Sequence, residues 1–382
     1  MNDNCLLMHG DIPVAEISFH PTGRLASIIE IFDEEHMPMG HMGKDTIELT
    51  KWWARRSIPI TRKGIRDIID HLDIPSPEWM MLISYGLSLS DSYWIRPKNE
   101  KMEWKDVNLY DNPFSEDIGK SLFHGKMSKF TDTISPDLST NGNLKKRWTI
   151  NKKNRRLIKA GNSTSRQEPF NEVIASGICD RLNIKHVDYH LIYDGKEPSC
   201  ICDAFTSKGN ELIPLIDIYH STAMKKGESP YLHLLHALSM VGAEGTEDYL
   251  DKTIMLDYII VNEDRHLGNM GILRDPQSLE FKGFAPVYDS GSSLCFDAPL
   301  SWIREGLEPG CKPFMPSHSE QIKLVNNFDV IDPDALYDVE SFIIKTSSES
   351  KGLINNDRSN AISGYVRRRI DNLRHIIRSS GQ

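Results

Sequence analysis

Apolar positions alternate in two short runs near the start of the chain, "PVAEISFH" and "RLASIIEIF", on either side of "PTGR". A period of two around a Pro-Thr-Gly turn predicts a small hairpin within residues 5–35. Between 45 and 90 the period changes to that of a helix. "TIELTKWWARR", "TRKGIRDIIDHL" and "SPEWMMLISYGL" each read as helical, and Ser76-Pro77 fits an N-cap followed by proline in the first turn. Residues 91–118 are polar and turn-rich, and are expected to link an N-terminal module to the rest. Two strand-like runs, "LKKRWTI" and "RRLIKAG", flank the turn "NKKN". A helix is predicted in "QEPFNEVIASGICDRLNI", with Pro169 near its start and Phe170, Val173, Ile174 and Ile178 on one face. "SCICDAF" alternates like a strand. Further on, Leu234, Leu238 and Val241, then Leu250, Ile254, Asp257 and Ile260, then Val366, Ile370, Leu373 and Ile377 mark three helices. "MGIL" and "EFKGFAPV" around Asp275-Pro276 predict a second hairpin.

Composition narrows the class. A chain of 382 residues can bury a sizeable core in two or three domains. Its net charge of −9 argues against a nucleic-acid binder, so any anion site must be local. Cys5, Cys179, Cys200, Cys202, Cys295 and Cys311 are scattered without a CxxC pair, which suits a reducing compartment. Cys200 and Cys202 are better read as strand residues than as metal ligands. No apolar run reaches the roughly 18 residues that span a bilayer, and no basic n-region opens the chain, so a cytoplasmic protein without membrane contact is expected. Charge is unevenly placed. Residues 120–160 carry a local +9, whereas residues 211–264 carry −7. Adjacent segments of opposite sign suit a metal–polyphosphate site, or simply attract each other.

Three constellations carry chemistry. Ser139, Thr140, Asn141, Gly142 and Asn143 form a cluster of small turn residues at one end of the first strand pair. Such a loop exposes backbone N–H groups that can cradle phosphate oxygens, although it fits neither GxGxxG nor GxxxxGK[ST]. Lys159 stands inside the apolar strand "LIKA", and Glu172 follows on the next helix. Alone, such a pair is often a surface ion pair. In kinases the same arrangement positions the α- and β-phosphates. Finally, "VNEDRHLGNMG" places Asp264 and Asn269 five apart, with Asp289 in "YDSGSSL" downstream. That is the spacing of a kinase catalytic loop: the Asp accepts the hydroxyl proton, and Asn269 with Asp289 would hold Mg²⁺. By itself Asp264 would also fit a polar turn after a helix. His266 could act as a base, but a support role, bonded to the loop backbone or to Asp289, fits better. His233 and His236 read as ordinary helix residues.

"NEDRHLGN", "YDSGSSL", "STNGNLKKRW" and "RLIKAG…PFNEVIASGI" together resemble the HipA-like serine/threonine kinases, which are distantly related in fold to the phosphatidylinositol 3/4-kinases. The resemblance spans roughly residues 119–375; the N-terminal 115 residues do not match that family's N-terminal subdomain. It implies an α+β, bilobal kinase-like fold. A β-rich N-lobe (116–206) and a helical C-lobe (207–382) would follow an N-terminal accessory module (1–115). It also implies ATP and Mg²⁺ as cofactors, and a bacterial protein kinase that transfers the γ-phosphoryl to protein hydroxyls. Carried over, Asp264 is the catalytic aspartate and Lys159 the ATP-phosphate lysine. Asn269 and Asp289 are the metal ligands. "CICDAFTS" becomes the hinge, where Ala204, Phe205 and Thr206 meet adenine, and His266 lines the same nucleotide site. Ser139 and Thr140 match the hydroxyls that such kinases autophosphorylate, although Gly142 follows Ser139 by three rather than at the family's spacing. An antitoxin-like partner is the macromolecular contact the resemblance suggests. A lipid or small-molecule kinase, or a non-catalytic nucleotide-sensing module, would use the same scaffold.

Overall fold

The computed structural model describes residues 4–40, 46–125, 132–162 and 166–380. Lys126 and Lys129 of the basic segment lie outside them. The chain forms two compact units, each made of three stretches. The first holds 1–158, 203–226 and 272–283; the second holds 159–202, 227–271 and 284–382.

The first unit is built on a four-stranded sheet in the order Leu25–Ile31, Ile12–Phe19, Cys5–His9, Tyr93–Pro97. Every neighbouring pair is antiparallel. The expected hairpin is therefore present, but the 91–118 link is not merely turns. Its "YWIRP" run pairs with the first strand, with Tyr93, Trp94 and Ile95 buried. Helix Thr46–Arg56 follows, and its Trp52, Trp53 and Leu49 join Leu7, Val14, Ile17 and Met81 in one core. Ser76 caps helix Pro77–Ile83 by accepting from Trp79 N, as the Ser-Pro pair foretold. Lys146–Asn151 and Asn154–Ala160 are neighbouring strands, as expected.

Three distant stretches of this unit meet in a buried polar network. His9 Nε2 lies 2.9 Å from Glu211 Oε2, and Arg274 Nη2 donates to Glu211 Oε1 at 2.7 Å and to Tyr93 Oη at 3.2 Å. Burial alone would raise the Glu211 carboxyl, but His9 and Arg274 reverse the effect and hold it at about 2.

In the second unit, helix Glu168–Arg181 carries Pro169 in its first turn and buries Phe170, Ile174 and Ile178. The antiparallel pair His190–Asp194 and Glu197–Asp203 follows. Pro230–Met240, Thr246–Ile260 and the 25-residue Asn356–Ser380 are the helices that the apolar spacing predicts. Thr246–Ile260 is buried almost throughout its second half. Among the described residues no helix is long and apolar enough to cross a membrane.

Candidate active site

Lys159 is the first residue of the second unit, directly after its strand leaves the first at Ile158. It is buried, and its ammonium bonds both the Glu172 carboxylate and Asp289 Oδ1, the latter at 2.5 Å. The Tyr189 ring lies 5.3 Å from Lys159 Nζ. Burial alone would strip the proton, yet Asp289 and Glu172 outweigh it, and the lysine pKa stands well above its usual range. One ammonium between two carboxylates leaves the trio with a net charge of about −1, which favours a further cation. Glu172 is held from its other side: its Oε2 accepts from Ser290 N at 2.8 Å. Asp289 itself adopts a left-handed backbone, φ +57, which Asp tolerates better than most residues.

Helix Thr246–Ile260 ends at Val261, also left-handed, and the chain turns at once into Asp264–Asn269. Asn269 Nδ2 donates to Asp264 O at 3.0 Å, closing the loop across its five-residue span. That bond uses one N–H of the amide, and Oδ1 is the group with which Asn269 can accept. His266 Nδ1 accepts from Gly268 N at 3.1 Å. Burial lowers the His266 pKa against the pull of Asp264 and Asp289, so the ring is neutral near pH 7 and braces the loop.

Arg265 has a role that the sequence reading did not assign. It is 1% exposed and grips Asp257 through Nε and Nη2. Nη1 donates to Asn269 O at 3.2 Å and to Tyr288 O, while Nη2 reaches Ser290 Oγ at 2.8 Å. One guanidinium therefore ties the backbone at 269 to the residues on both sides of Asp289. Burial would lower its pKa, but Asp257 raises it above the ordinary arginine value. The signal was present: Asp257 interrupts the apolar run "IMLDYII", and a buried acid requires a partner. Lys312 was also missed. Its Nζ donates to Asp264 Oδ1 at 2.7 Å.

The remaining sequence-predicted residues lie in the first unit. Ser139 Oγ donates to Leu87 O at 2.6 Å, and Thr140 Oγ1 donates to Pro136 O at 2.6 Å while accepting from Trp148 Nε1 at 2.8 Å. Arg62, nearly fully buried, holds the loop by donating to Gly142 O at 2.8 Å and to Thr140 O. Asn141 Oδ1 accepts from Gly142 N at 2.6 Å, and Thr61 Oγ1 donates to Asn143 Oδ1 at 2.7 Å. Gly142 takes a left-handed φ of +96 that residues with a side chain rarely adopt. Ala204 N donates to Arg155 O at 2.8 Å, and Thr206 Oγ1 to Leu89 O at 2.5 Å. Phe205 between them is partly buried.

For a divalent cation the fit rests on oxygen donors. Among the described residues no group of three or more His, Cys, Asp or Glu side chains gathers for one. Asn269 Oδ1 and the Asp289 carboxylate are nonetheless hard ligands of the kind Mg²⁺ takes together with water and phosphate.

No protein-family model matches the chain, and no curated protein matches it. Solved structures do. The HipA of a Shewanella oneidensis MR-1 toxin–antitoxin system, described in complex with HipB and operator DNA, matches with a TM-score of 0.53 at 12% identity, covering 97% of this chain and 97% of that one. A Helicobacter pylori proinflammatory kinase, CtkA, matches with a TM-score of 0.46 at 16% identity, over 62% of this chain and 95% of that one. The HipA structural match extends past the 119–375 span of the sequence resemblance into the N-terminal residues. The chain therefore has a HipA-like, α+β kinase fold over nearly its whole length.

Proposed function

We propose that the protein is an ATP- and Mg²⁺-dependent serine/threonine protein kinase. The observation that carries this reading is Lys159, buried and bonded at once to Glu172 and Asp289, in the same unit as the Asp264–Asn269 loop. Asn269 and Asp289 would hold Mg²⁺, which supplies neutralisation of phosphate charge when bound. Lys159, which bonds both Glu172 and Asp289, would turn an N–H to a phosphate oxygen if the Asp289 carboxylate were engaged elsewhere. Glu172 keeps the ammonium in place throughout. Asp264 accepts the proton of the attacking hydroxyl, while Arg265 keeps the 269 and 288–290 backbones at fixed separation. Catalysis then consists of positioning and charge neutralisation, without a covalent enzyme intermediate.

Ser139 and Thr140 are the candidate autophosphorylation hydroxyls. Both are engaged with backbone carbonyls, so modification of either would release the 139–143 loop from Leu87 or Pro136. The HipA neighbour's complex with HipB makes an antitoxin-like protein the first partner to test.

The test is incubation of the purified chain with radiolabelled ATP and Mg²⁺, with casein as a generic acceptor. Label should appear on the protein itself or on casein, and Asp289→Asn should abolish both transfer and Mg²⁺-dependent nucleotide binding. Full activity in that variant rules the assignment out. Label on phosphoinositides but on no protein would move the assignment to a lipid kinase.

A further inference from the structure

The turn between Gly310 and Ser317 is built to present a cation to Asp264. Gly310 and Ser317 form an isolated antiparallel bridge, and Cys311 N donates to Pro316 O at 3.2 Å. Inside it lies the side chain of Gln321, which is buried. Its Nε2 donates to Lys312 O at 2.9 Å, and its Oε1 accepts from Phe314 N at 3.0 Å and Met315 N at 3.3 Å. One amide thus reads three backbone groups and fixes where the Lys312 stem departs. The Phe314 ring packs edge-on against Tyr231 at 5.2 Å and anchors the other side.

At the tip, the Lys312–Asp264 pair is open to water, with side chains 53% and 42% exposed. An exposed pair of this kind adds little stability, so stability does not account for the turn's construction. The pair also divides the carboxylate. Oδ1 takes the ammonium, whereas Oδ2 has no hydrogen-bond partner among the described residues; His266 Nε2 stands 4.0 Å from it. Lys312 has no second partner there either, and an ammonium has three N–H donors.

We propose that Lys312 is a catalytic residue, a cation that contacts the transferring phosphoryl group. The proposal rests on the kinase reading above. In the transfer, the acceptor hydroxyl oxygen bonds to the γ-phosphorus as the bond from that phosphorus to the β,γ-bridging oxygen breaks. The electron pair leaves with ADP, and the hydroxyl proton passes to Asp264 Oδ2. A bare Asp264 carboxylate beside an anionic phosphoryl group would repel it. Lys312 cancels that repulsion while donating a second N–H to a phosphoryl oxygen. Asp264 therefore works through Oδ2 and is neutralised through Oδ1.

The experiment compares wild type, Lys312→Met and Lys312→Arg in the full chain, reading transfer from radiolabelled ATP to the protein itself and to casein, and MgATP binding in parallel. Removing a donor aimed at developing charge is expected to lower kcat by ~10–100-fold in Lys312→Met, with the MgATP Kd changed less than ~2-fold. Lys312→Arg, which keeps the charge, should recover most of the loss. The melting temperature should hold, because the side chain is exposed. A Lys312→Met kcat within ~2-fold of an active wild type overturns the Lys312 role alone. So does a loss explained wholly by weaker MgATP binding. A wild type that transfers phosphate to no hydroxyl overturns the kinase reading, and the Lys312 role with it.

Discussion

Arg265→Met tests whether the buried guanidinium is the brace of the candidate active site. The substitution leaves Asp257, which is 1% exposed, without its counter-charge. It also unpairs Asn269 O, Tyr288 O and Ser290 Oγ. Removing one partner of a buried ion pair typically costs ~3–5 kcal/mol, most of it from the stranded charge. Burial already pushes the Asp257 carboxyl upward, with Arg265 opposing, so the variant would respond partly by protonating Asp257, which puts the expected cost near ~4 kcal/mol. For a unit of about 190 residues, that corresponds to a fall in Tm of roughly 8–16 °C. The double variant Asp257→Leu/Arg265→Met removes both charges and should regain most of this stability, because an apolar pair of similar volume replaces the ion pair well. Phosphotransfer should stay low in both, since neither restores the link between residues 269 and 288. Thermal melts followed by circular dichroism, alongside radiolabelled transfer assays, read the two effects separately. The reasoning fails if the double variant melts no higher than the single one, or if it regains wild-type transfer.

Two further substitutions test local physics. Burial pushes the Asp137 carboxyl up to about 7 from an unfolded value of 3.8, so between these pH values the folded chain holds a proton that the unfolded chain has released. Stability from this group therefore falls as pH rises through that window, and Asp137→Asn should flatten the pH dependence of Tm there; an unchanged slope would refute it. Gly177→Ala sets helix propensity against packing. Alanine favours a helix interior by ~0.5–1 kcal/mol, but its Cβ would stand 2.3 Å from Phe342 Cζ, and overpacking costs ~1–3 kcal/mol. A net loss of ~1–2 kcal/mol is expected, and a Tm at or above wild type would contradict it.

What could be read from the sequence was what local patterns encode. The hairpin around "PTGR", the helix Thr46–Arg56, the Ser76 cap and the Pro169 helix start all follow from periodicity and turn chemistry within a dozen residues. The strand Tyr93–Pro97 escaped because its partner, Cys5–His9, lies far back in the chain, while the residues around it are polar. Lys159, Glu172, Asp264, Asn269 and Asp289 could be singled out as candidates because their types, spacing and order resemble those of a kinase site. Lys312 was not, because a lysine in "PGCKPF" looks like any loop lysine until Gln321 folds the turn around it. Arg265 stood next to the loop's key residue, yet its function depends on Asp257 on the helix before and on the backbone at 288, a convergence that spacing does not encode.

The network of His9, Tyr93, Glu211 and Arg274 has a practical bearing on how the protein can be dissected. Its members come from all three stretches of the first unit. A fragment ending near residue 158 would look like a natural N-terminal piece, yet it would strand His9 and Tyr93 in the interior without the carboxylate and guanidinium that satisfy them. A fragment beginning near 159 would carry Glu211 and Arg274 as partners of nothing. Neither half is therefore expected to fold by itself, so splitting, tagging or permuting this chain is best done at exposed loops within a stretch rather than at the crossings between them.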